Sequence, residues 1–260
     1  MALELELALA VRLAREAGVT AMAFQRDGFD VEDKPDDSPV TAADKACERL
    51  MADGILAHFP ADGILGEEGS SIEGTSGRRW IIDPIDGTRD FVRGNRLWAN
   101  FIAMEAEGEV KVGVCGFPGL GELCWAARGH GAWREFEGVA SRMNVSNVSE
   151  VERAVICGNF VAKLSDFPDR ERLLPFVDRF WSFRCLGGAA DVMLVASGKM
   201  DFWIEPAAKP WDFAPLQVIA EESGAKFFNF NGGRSIYDGS AIICTPGLVD
   251  EARAALGMGN

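Results

Sequence analysis

The segment at residues 80–88, with the sequence WIIDPIDGT, constrains this 260-residue chain more than any other feature. Its apolar start, residues 80–82, predicts a buried strand. Pro84 has no N–H and a restricted φ, so we expect the strand to end there. Asp83 and Asp86 would then stand on rigid backbone where the chain turns. They offer only oxygen atoms, which favours magnesium, manganese or calcium over zinc as a bound ion.

A purely structural role is the simpler interpretation of either aspartate taken alone. Asp-Pro and Asp-Gly pairs are common in turns, so Asp83 or Asp86 could simply stabilise one. The nine-residue string as a whole favours a metal site, because acidic residues elsewhere in the chain also stand at the ends of regular elements.

The composition predicts one sizeable domain or two closely packed halves, since 48% of the residues are hydrophobic and 25% are charged. No apolar run reaches the length of a membrane span, and residues 1–10 lack the basic start of a signal peptide. The six cysteines have no paired zinc-type spacing and are expected to be small buried residues. These features predict a reducing, cytoplasmic environment and no membrane partner.

The formal net charge of −14 argues against nucleic acid as a partner, because there is no basic stripe to displace its counterions. An anionic substrate would need bound cations to reverse the local charge. The two histidines, His58 and His130, stand in a predicted helix end and a predicted turn. A catalytic pair of cysteine and histidine is therefore not expected.

The apolar periodicity predicts helices and antiparallel strands in mixed order, which favours an α+β layered fold over a regular βαβ array. Thr41 has the position of an N-cap, with Asp44 three residues later as in a capping box. The predicted helices span residues 3–26, 42–59, 169–180, 188–199, 213–223 and 249–256. The predicted strands span residues 63–66, 98–104, 110–116, 123–127, 153–158, 201–205 and 240–244.

Four segments place acidic side chains at the end of a regular element. They contribute Asp44, Glu67, Asp83 with Asp86, and Asp212. If these ends meet, the five carboxylates would repel one another strongly unless two or three cations lay between them. Two of the residues have simpler alternatives, since Asp212 could only cap the following helix and Asp44 could only stabilise the dipole of its own.

Four elements of the sequence together resemble the signature of the inositol monophosphatase family. They are Gly66-Glu67-Glu68, residues 80–88, Trp211-Asp212 and residues 41–44. The resemblance covers nearly the whole chain and implies a phosphatase that hydrolyses small phosphate monoesters as a homodimer. It also implies Mg²⁺ as the cofactor, with Mn²⁺ as the alternative ion and two to three ions per site.

The fold implied by the resemblance is a layered α/β/α/β/α sandwich of the inositol monophosphatase and fructose-bisphosphatase type. A single domain would cover residues 1–260. Its N-terminal half would be α+β over about 1–145, and its C-terminal half would be α/β over about 146–260.

The resemblance further implies a role for each site residue. The metal ligands would be the carboxylates of Glu67, Asp83, Asp86 and Asp212 with the carbonyl of Ile85 and the hydroxyl of Thr88, and Glu68 is the alternative to Glu67. The catalytic group would be Asp44, Thr88 and Glu67, in which Asp44 and Thr88 orient and deprotonate the attacking water. The amides of Gly87 and Thr88 would bind phosphate at a helix start. The substrate-binding residues would be Glu205, Gly188 and Ala189.

Two substrates, inositol monophosphate and histidinol phosphate, stay open at this point. Residues 89–100 resemble the bacterial histidinol-phosphatase branch, whereas residues 187–191 lack an aspartate directly after the first glycine, as in the inositol-phosphate enzymes. Asp191, one helical turn later, is a candidate substitute. A phosphatase for adenosine bisphosphate or a sugar phosphate, and a non-catalytic metal-binding regulator on the same scaffold, are the remaining alternatives.

Overall fold

The computed structural model describes residues 3–34, 39–158 and 170–257. The helices are α1 (Glu4–Asp27), α2 (Ala42–His58), α3 (Thr88–Val92), α4 (Arg170–Val177), α5 (Gly188–Ala196), α6 (Pro210–Glu222) and α7 (Val249–Ala255). The strands are β1 (Val31–Asp33), β2 (Pro39–Thr41), β3 (Gly63–Gly66), β4 (Ser71–Ile72), β5 (Arg78–Asp86), β6 (Ala99–Ala106), β7 (Glu109–Phe117), β8 (Glu122–Ala127), β9 (Ala132–Phe136), β10 (Val139–Met143), β11 (Val155–Cys157), β12 (Ser182–Arg184), β13 (Phe202–Glu205), β14 (Lys226–Phe228) and β15 (Ala241–Cys244).

Two large sheets organise the molecule. The first has eight strands in the order β10-β9-β8-β7-β6-β5-β3-β4, and the second has five in the order β12-β11-β13-β15-β14. In the first sheet β3 and β5 run parallel and the other neighbours are antiparallel. In the second, β11 runs parallel to both β12 and β13. The short pair β1 and β2 forms a separate antiparallel hairpin.

Helices and sheets alternate in five layers, as predicted. Helices α1 and α2 cover one face of the eight-stranded sheet, and α5 and α6 lie between the two sheets. Helices α4 and α7 cover the far face of the five-stranded sheet. The pleat of each strand distributes its side chains between layers. In β5, for example, Trp80 and Ile82 face α1 and α2, whereas Ile81 faces the central layer.

The predicted strand end at Pro84 is wrong. Strand β5 continues to Asp86, with Asp83 opposite Phe101 and Asp86 opposite Ala99. Three steps along β5 therefore match two along β6, which is a β-bulge. A bulge tolerates proline because the missing N–H is not needed there. The side-chain amide of Asn100 donates to the Pro84 carbonyl, so the irregular backbone keeps a partner.

The other sequence expectations have mixed outcomes. Helix α2 begins at the predicted capping box of Thr41 and Asp44. Five of the six cysteines are buried as expected, but Cys185 is exposed in the turn before α5, which corrects that prediction. The strands β4, β10, β12 and β14 were not predicted, because elements of two to five residues carry too little periodicity. Helix α3 begins at Thr88, where the resemblance implied a helix start. Within the described residues, no helix is long and apolar enough to cross a membrane.

Candidate metal and phosphate site

Three aspartates from distant parts of the chain meet where β5 and α6 approach each other. One carboxylate oxygen each from Asp83, Asp86 and Asp212 lies within 4.8 Å of the other two. Asp83 is only 1% exposed, and the other two are half-buried. The structure thus brings together three of the four predicted carboxylate ligands, with only oxygen atoms as donors.

The electrostatics of this cluster are unfavourable for bare carboxylates. Burial raises the pKa of Asp83 well above its usual value, and the charges of Glu67, Asp86 and Asp212 raise it further. Burial likewise raises the pKa of Asp86, followed by the charges of Asp212 and Glu67. Carboxylates in such a place must be protonated or share cations. Since hard divalent cations prefer this type of donor set, the residues fit a magnesium-like ion.

The backbone from Asp83 to Thr88 is tightly constrained. The N–H of Ile85 donates to Asp83 Oδ1 at 3.0 Å, and the Thr88 hydroxyl donates to the Ile85 carbonyl at 3.2 Å. Gly87 has a φ of 83°, in the left-handed region that favours glycine, and reverses the chain into α3. The amides of Gly87 and Thr88 precede the first intrahelical donors, so α3 does not use them.

Asp44 and Thr88 are brought together, as the resemblance implied. Thr41 donates to Asp44 Oδ2 through both its N–H, at 2.8 Å, and its hydroxyl, at 2.6 Å. The other carboxylate oxygen of Asp44 accepts from the Thr88 hydroxyl at 3.4 Å. Burial raises the pKa of Asp44 above its usual value despite the bonds from Thr41. Asp44 therefore uses one carboxylate oxygen in the capping box of α2, and its other oxygen contacts Thr88.

Glu67 follows β3 and lies close enough to Asp83 for its charge to raise the pKa of Asp83. Its carboxylate is also paired with Lys34, whose Nζ lies 2.9 Å from Glu67 and 2.7 Å from Glu68. Burial raises the pKa of Glu68 to about 7 even though Lys34 lowers it. Sequence reasoning missed Lys34, because a lysine in a polar loop gives no sign of the carboxylates that it meets.

Asp212 lies inside the first turn of α6, whose N-cap is Lys209, so the considered N-cap position of Asp212 is wrong. Its Oδ2 instead accepts from the N–H of Lys209 at 2.7 Å, as the third helical residue of a capping box does. The same side chain is part of the three-aspartate cluster. One residue thus serves the helix and faces the site, as the sequence allowed.

The predicted substrate contacts differ in character. Glu205 ends β13, is 4% exposed, and its charge helps to raise the pKa of Asp86. Gly188 and Ala189 begin α5, and the Ala189 side chain is buried in the central core. A substrate contact at Ala189 would therefore involve its backbone.

Asp191 does not face an open binding site as a free acidic group. It is buried, and its Oδ1 accepts from the N–H of Leu186 at 3.2 Å. Burial raises its pKa to about 6. Its contacts stabilise the turn before α5, so this structure gives it a structural task rather than the substitute role considered from the sequence.

Comparison with known proteins decides the family. The model of the inositol monophosphatase family matches residues 3–256. The chain belongs to this family. A histidinol-phosphatase from Chlorobaculum parvum is 40% identical over 92% of the chain and 91% of its own length. A histidinol-phosphatase from Mycobacterium tuberculosis is 36% identical over 98% of both chains.

A solved structure agrees with the family assignment. The inositol monophosphatase TM1415 of Thermotoga maritima superposes with a TM-score of 0.83 at 31% identity, covering 97% of this chain and 96% of its own. The predicted fold is therefore confirmed. The protein is a hydrolase, a phosphomonoesterase of the inositol monophosphatase family.

Proposed function

We propose that the protein hydrolyses histidinol phosphate and uses Mg²⁺ held by Glu67, Asp83, Asp86 and Asp212. The observation that carries the metal proposal is the cluster of Asp83, Asp86 and Asp212, in which one carboxylate oxygen of each residue lies within 4.8 Å of the other two. Bound magnesium would neutralise the phosphate, lower the pKa of a water molecule and stabilise the leaving alkoxide. Mn²⁺ is the alternative ion, and the five carboxylates suit two to three cations per site.

The chain itself orients the reactants. The oxygen of Asp44 that faces Thr88 would accept a proton from a water molecule held by the Thr88 hydroxyl. The carbonyl of Ile85 lies beside the same hydroxyl and adds a further oxygen ligand. The amides of Gly87 and Thr88 would donate to phosphate oxygens. Because α3 does not use these amides, they need not break a bond to do so.

Two further carboxylates favour a cationic alcohol. Asp90 and Glu205 lie close enough to Asp86 for their charges to raise its pKa, yet neither belongs to the three-aspartate cluster. Histidinol carries an ammonium group and an imidazole, whereas inositol is uncharged. A negative rim beyond the phosphate position would therefore attract histidinol more than inositol. The names of the two relatives quoted above agree with this choice.

A paired kinetic measurement tests the substrate. We expect kcat/KM for histidinol phosphate to exceed that for inositol 1-phosphate by at least about 100-fold, the value of about 3 kcal/mol of selective contact. Glu205→Gln should lower kcat/KM for histidinol phosphate while leaving that for inositol 1-phosphate nearly unchanged. Equal values for the two substrates in the unmodified protein would refute the proposed substrate.

We also propose that the chain is a single domain with halves at about residues 1–145 and 146–260. Two such chains would form a homodimer. The exposed apolar side chains of Leu120 and Leu186 line one groove together with Leu97 and Met193, and such a surface suits contact between subunits. Sedimentation of the purified protein at micromolar concentration tests this, and a species of 28.1 kDa alone would contradict it.

A further inference from the structure

A buried glutamate on α2 reaches across to the turn that carries Glu67. Glu48 is 3% exposed and lies one helical turn after Asp44. Its Oε2 accepts from the N–H of Glu68 at 2.7 Å, and its Oε1 accepts from the N–H of Ser70 at 2.8 Å. Both oxygens of one carboxylate are thus bound to the backbone of a single turn, residues 66–70.

The fit of Glu48 under this turn is close. A Cβ atom on Gly66 would lie 2.5 Å from Glu48 Oε2, so a larger residue there would force the carboxylate to move. The turn is also closed by its own backbone, since Gly66 N–H donates to the Ser70 carbonyl at 2.7 Å. On its other side, Glu67 N–H donates to the Ile82 carbonyl of β5 at 3.2 Å. Glu48 supplies the acceptors that the backbone does not provide for Glu68 and Ser70.

We propose that Glu48 is a positioning residue, which holds the turn at residues 66–70 so that the Glu67 carboxylate stays beside Asp83. The inference rests on the proposed function, in which Glu67 is a metal ligand. Hydrogen bonds from backbone N–H groups to a carboxylate are short and strong, so the two bonds to Glu48 fix the backbone directly after Glu67. A carboxylate that orients a metal ligand in this way affects metal affinity without touching the metal.

A second buried carboxylate provides a matched control. Asp62 is 1% exposed and precedes β3, whereas Glu67 follows it, so the two flank opposite ends of the same strand. Asp62 accepts from Trp80 Nε1 at 2.9 Å and from the Ser76 hydroxyl at 2.7 Å. Asp62 also forms an ion pair with Arg78, whose Nη2 lies 3.0 Å from Asp62 Oδ2. It therefore supports the fold through bonds of its own, and within the described residues its side chain makes no hydrogen bond to the turn at residues 66–70.

Calorimetric titration of the metal-free protein with Mn²⁺ tests the inference. Glu48→Gln keeps the size of the side chain but presents an amide N–H₂ to one backbone N–H. We expect its Kd for Mn²⁺ to rise about tenfold, as for other residues that orient metal ligands. Near-normal kcat should return at saturating metal. Asp62→Asn should lower the melting temperature and leave the Kd for Mn²⁺ unchanged.

Glu67→Gln, titrated in parallel, separates the two possible failures. A large loss of affinity in Glu67→Gln with an unchanged Kd in Glu48→Gln would overturn the positioning role alone. Unchanged affinity in both variants would overturn the proposed metal site as well. Equal weakening by Asp62→Asn would also overturn the inference, because the effect would then be a general loss of stability. If Glu48→Gln does not fold, Glu48→Asp, which cannot reach both N–H groups, is titrated and judged by the same criteria.

Discussion

The two turns that deliver carboxylates to the site are built in different ways. The turn at residues 83–88 is fixed by local bonds, a bulge and a glycine at positive φ. The turn at residues 66–70 depends instead on Glu48 from α2 and on Lys34 from the β1–β2 hairpin. Within the described residues, no ion pair involves Asp83 or Asp86 of the first turn, whereas Glu67 of the second turn pairs with Lys34. We infer that the turn at residues 83–88 has its final conformation before metal binds. The position of the turn at residues 66–70 depends on side chains from other elements.

The largest expected effect comes from the first turn. Asp83→Asn should lower kcat/KM by roughly 10³-fold, because a metal contributes several kcal/mol to the transition state. The same change should raise the melting temperature of the metal-free protein, since it removes a buried charge that repels its neighbours. Phosphatase assays and thermal melts in EDTA measure the two effects. If Asp83→Asn kept its activity, or lost stability in the absence of metal, the proposed role of the first turn would be wrong.

Asn100→Ala tests whether the bulge is rigid without its side-chain support. The buried amide of Asn100 donates to the Pro84 carbonyl, so its loss should cost about 1–3 kcal/mol of unfolding free energy. Metal affinity should change little, because the Ile85 N–H still holds Asp83. Urea unfolding and Mn²⁺ titration measure these quantities. Weakened metal binding at unchanged stability would mean that the first turn also depends on outside support.

The pH dependence of stability should be a smaller effect. The unfolded pKa of Asp86 is near 3.8 and its folded pKa is well above this, so the folded state holds the extra protons between the two values. Metal-free stability should therefore fall as pH rises above about 4 and through the folded pKa. Asp86→Asn should flatten this fall more than Glu68→Gln, because Glu68 has Lys34 as a partner. Melts in EDTA at pH 5 and pH 8 measure the slope, and a stability that rises with pH would contradict the account.

Lys34→Gln should have the smallest effect. The ammonium of Lys34 competes with a metal for Glu67, but a partly exposed ion pair contributes only about 1 kcal/mol or less. Removing the ammonium should tighten Mn²⁺ binding by up to about fivefold. A weaker affinity for Mn²⁺ in this variant would mean that Lys34 supports the second turn rather than competing for it.

The difference between the two turns also explains which features could be predicted from the sequence. The capping box at Thr41 and Asp44 and the pair Asp83 and Asp86 were predictable, because each motif lies within a few residues. The bulge at Pro84 was not, since it depends on the register of β5 against β6. Glu48 lies on the buried face of α2, where a charged residue is unusual. Its partners lie 20 and 22 residues away, and periodicity does not predict contacts at that distance.

Anomalous diffraction from crystals soaked in Mn²⁺ and phosphate tests the central claim most directly. The account predicts manganese peaks in contact with Asp83, Asp86 and Asp212, with Glu67 beside them and phosphate oxygens at the amides of Gly87 and Thr88. Phosphate bound elsewhere, or a cluster of three aspartates without a manganese peak at saturating Mn²⁺, would contradict it.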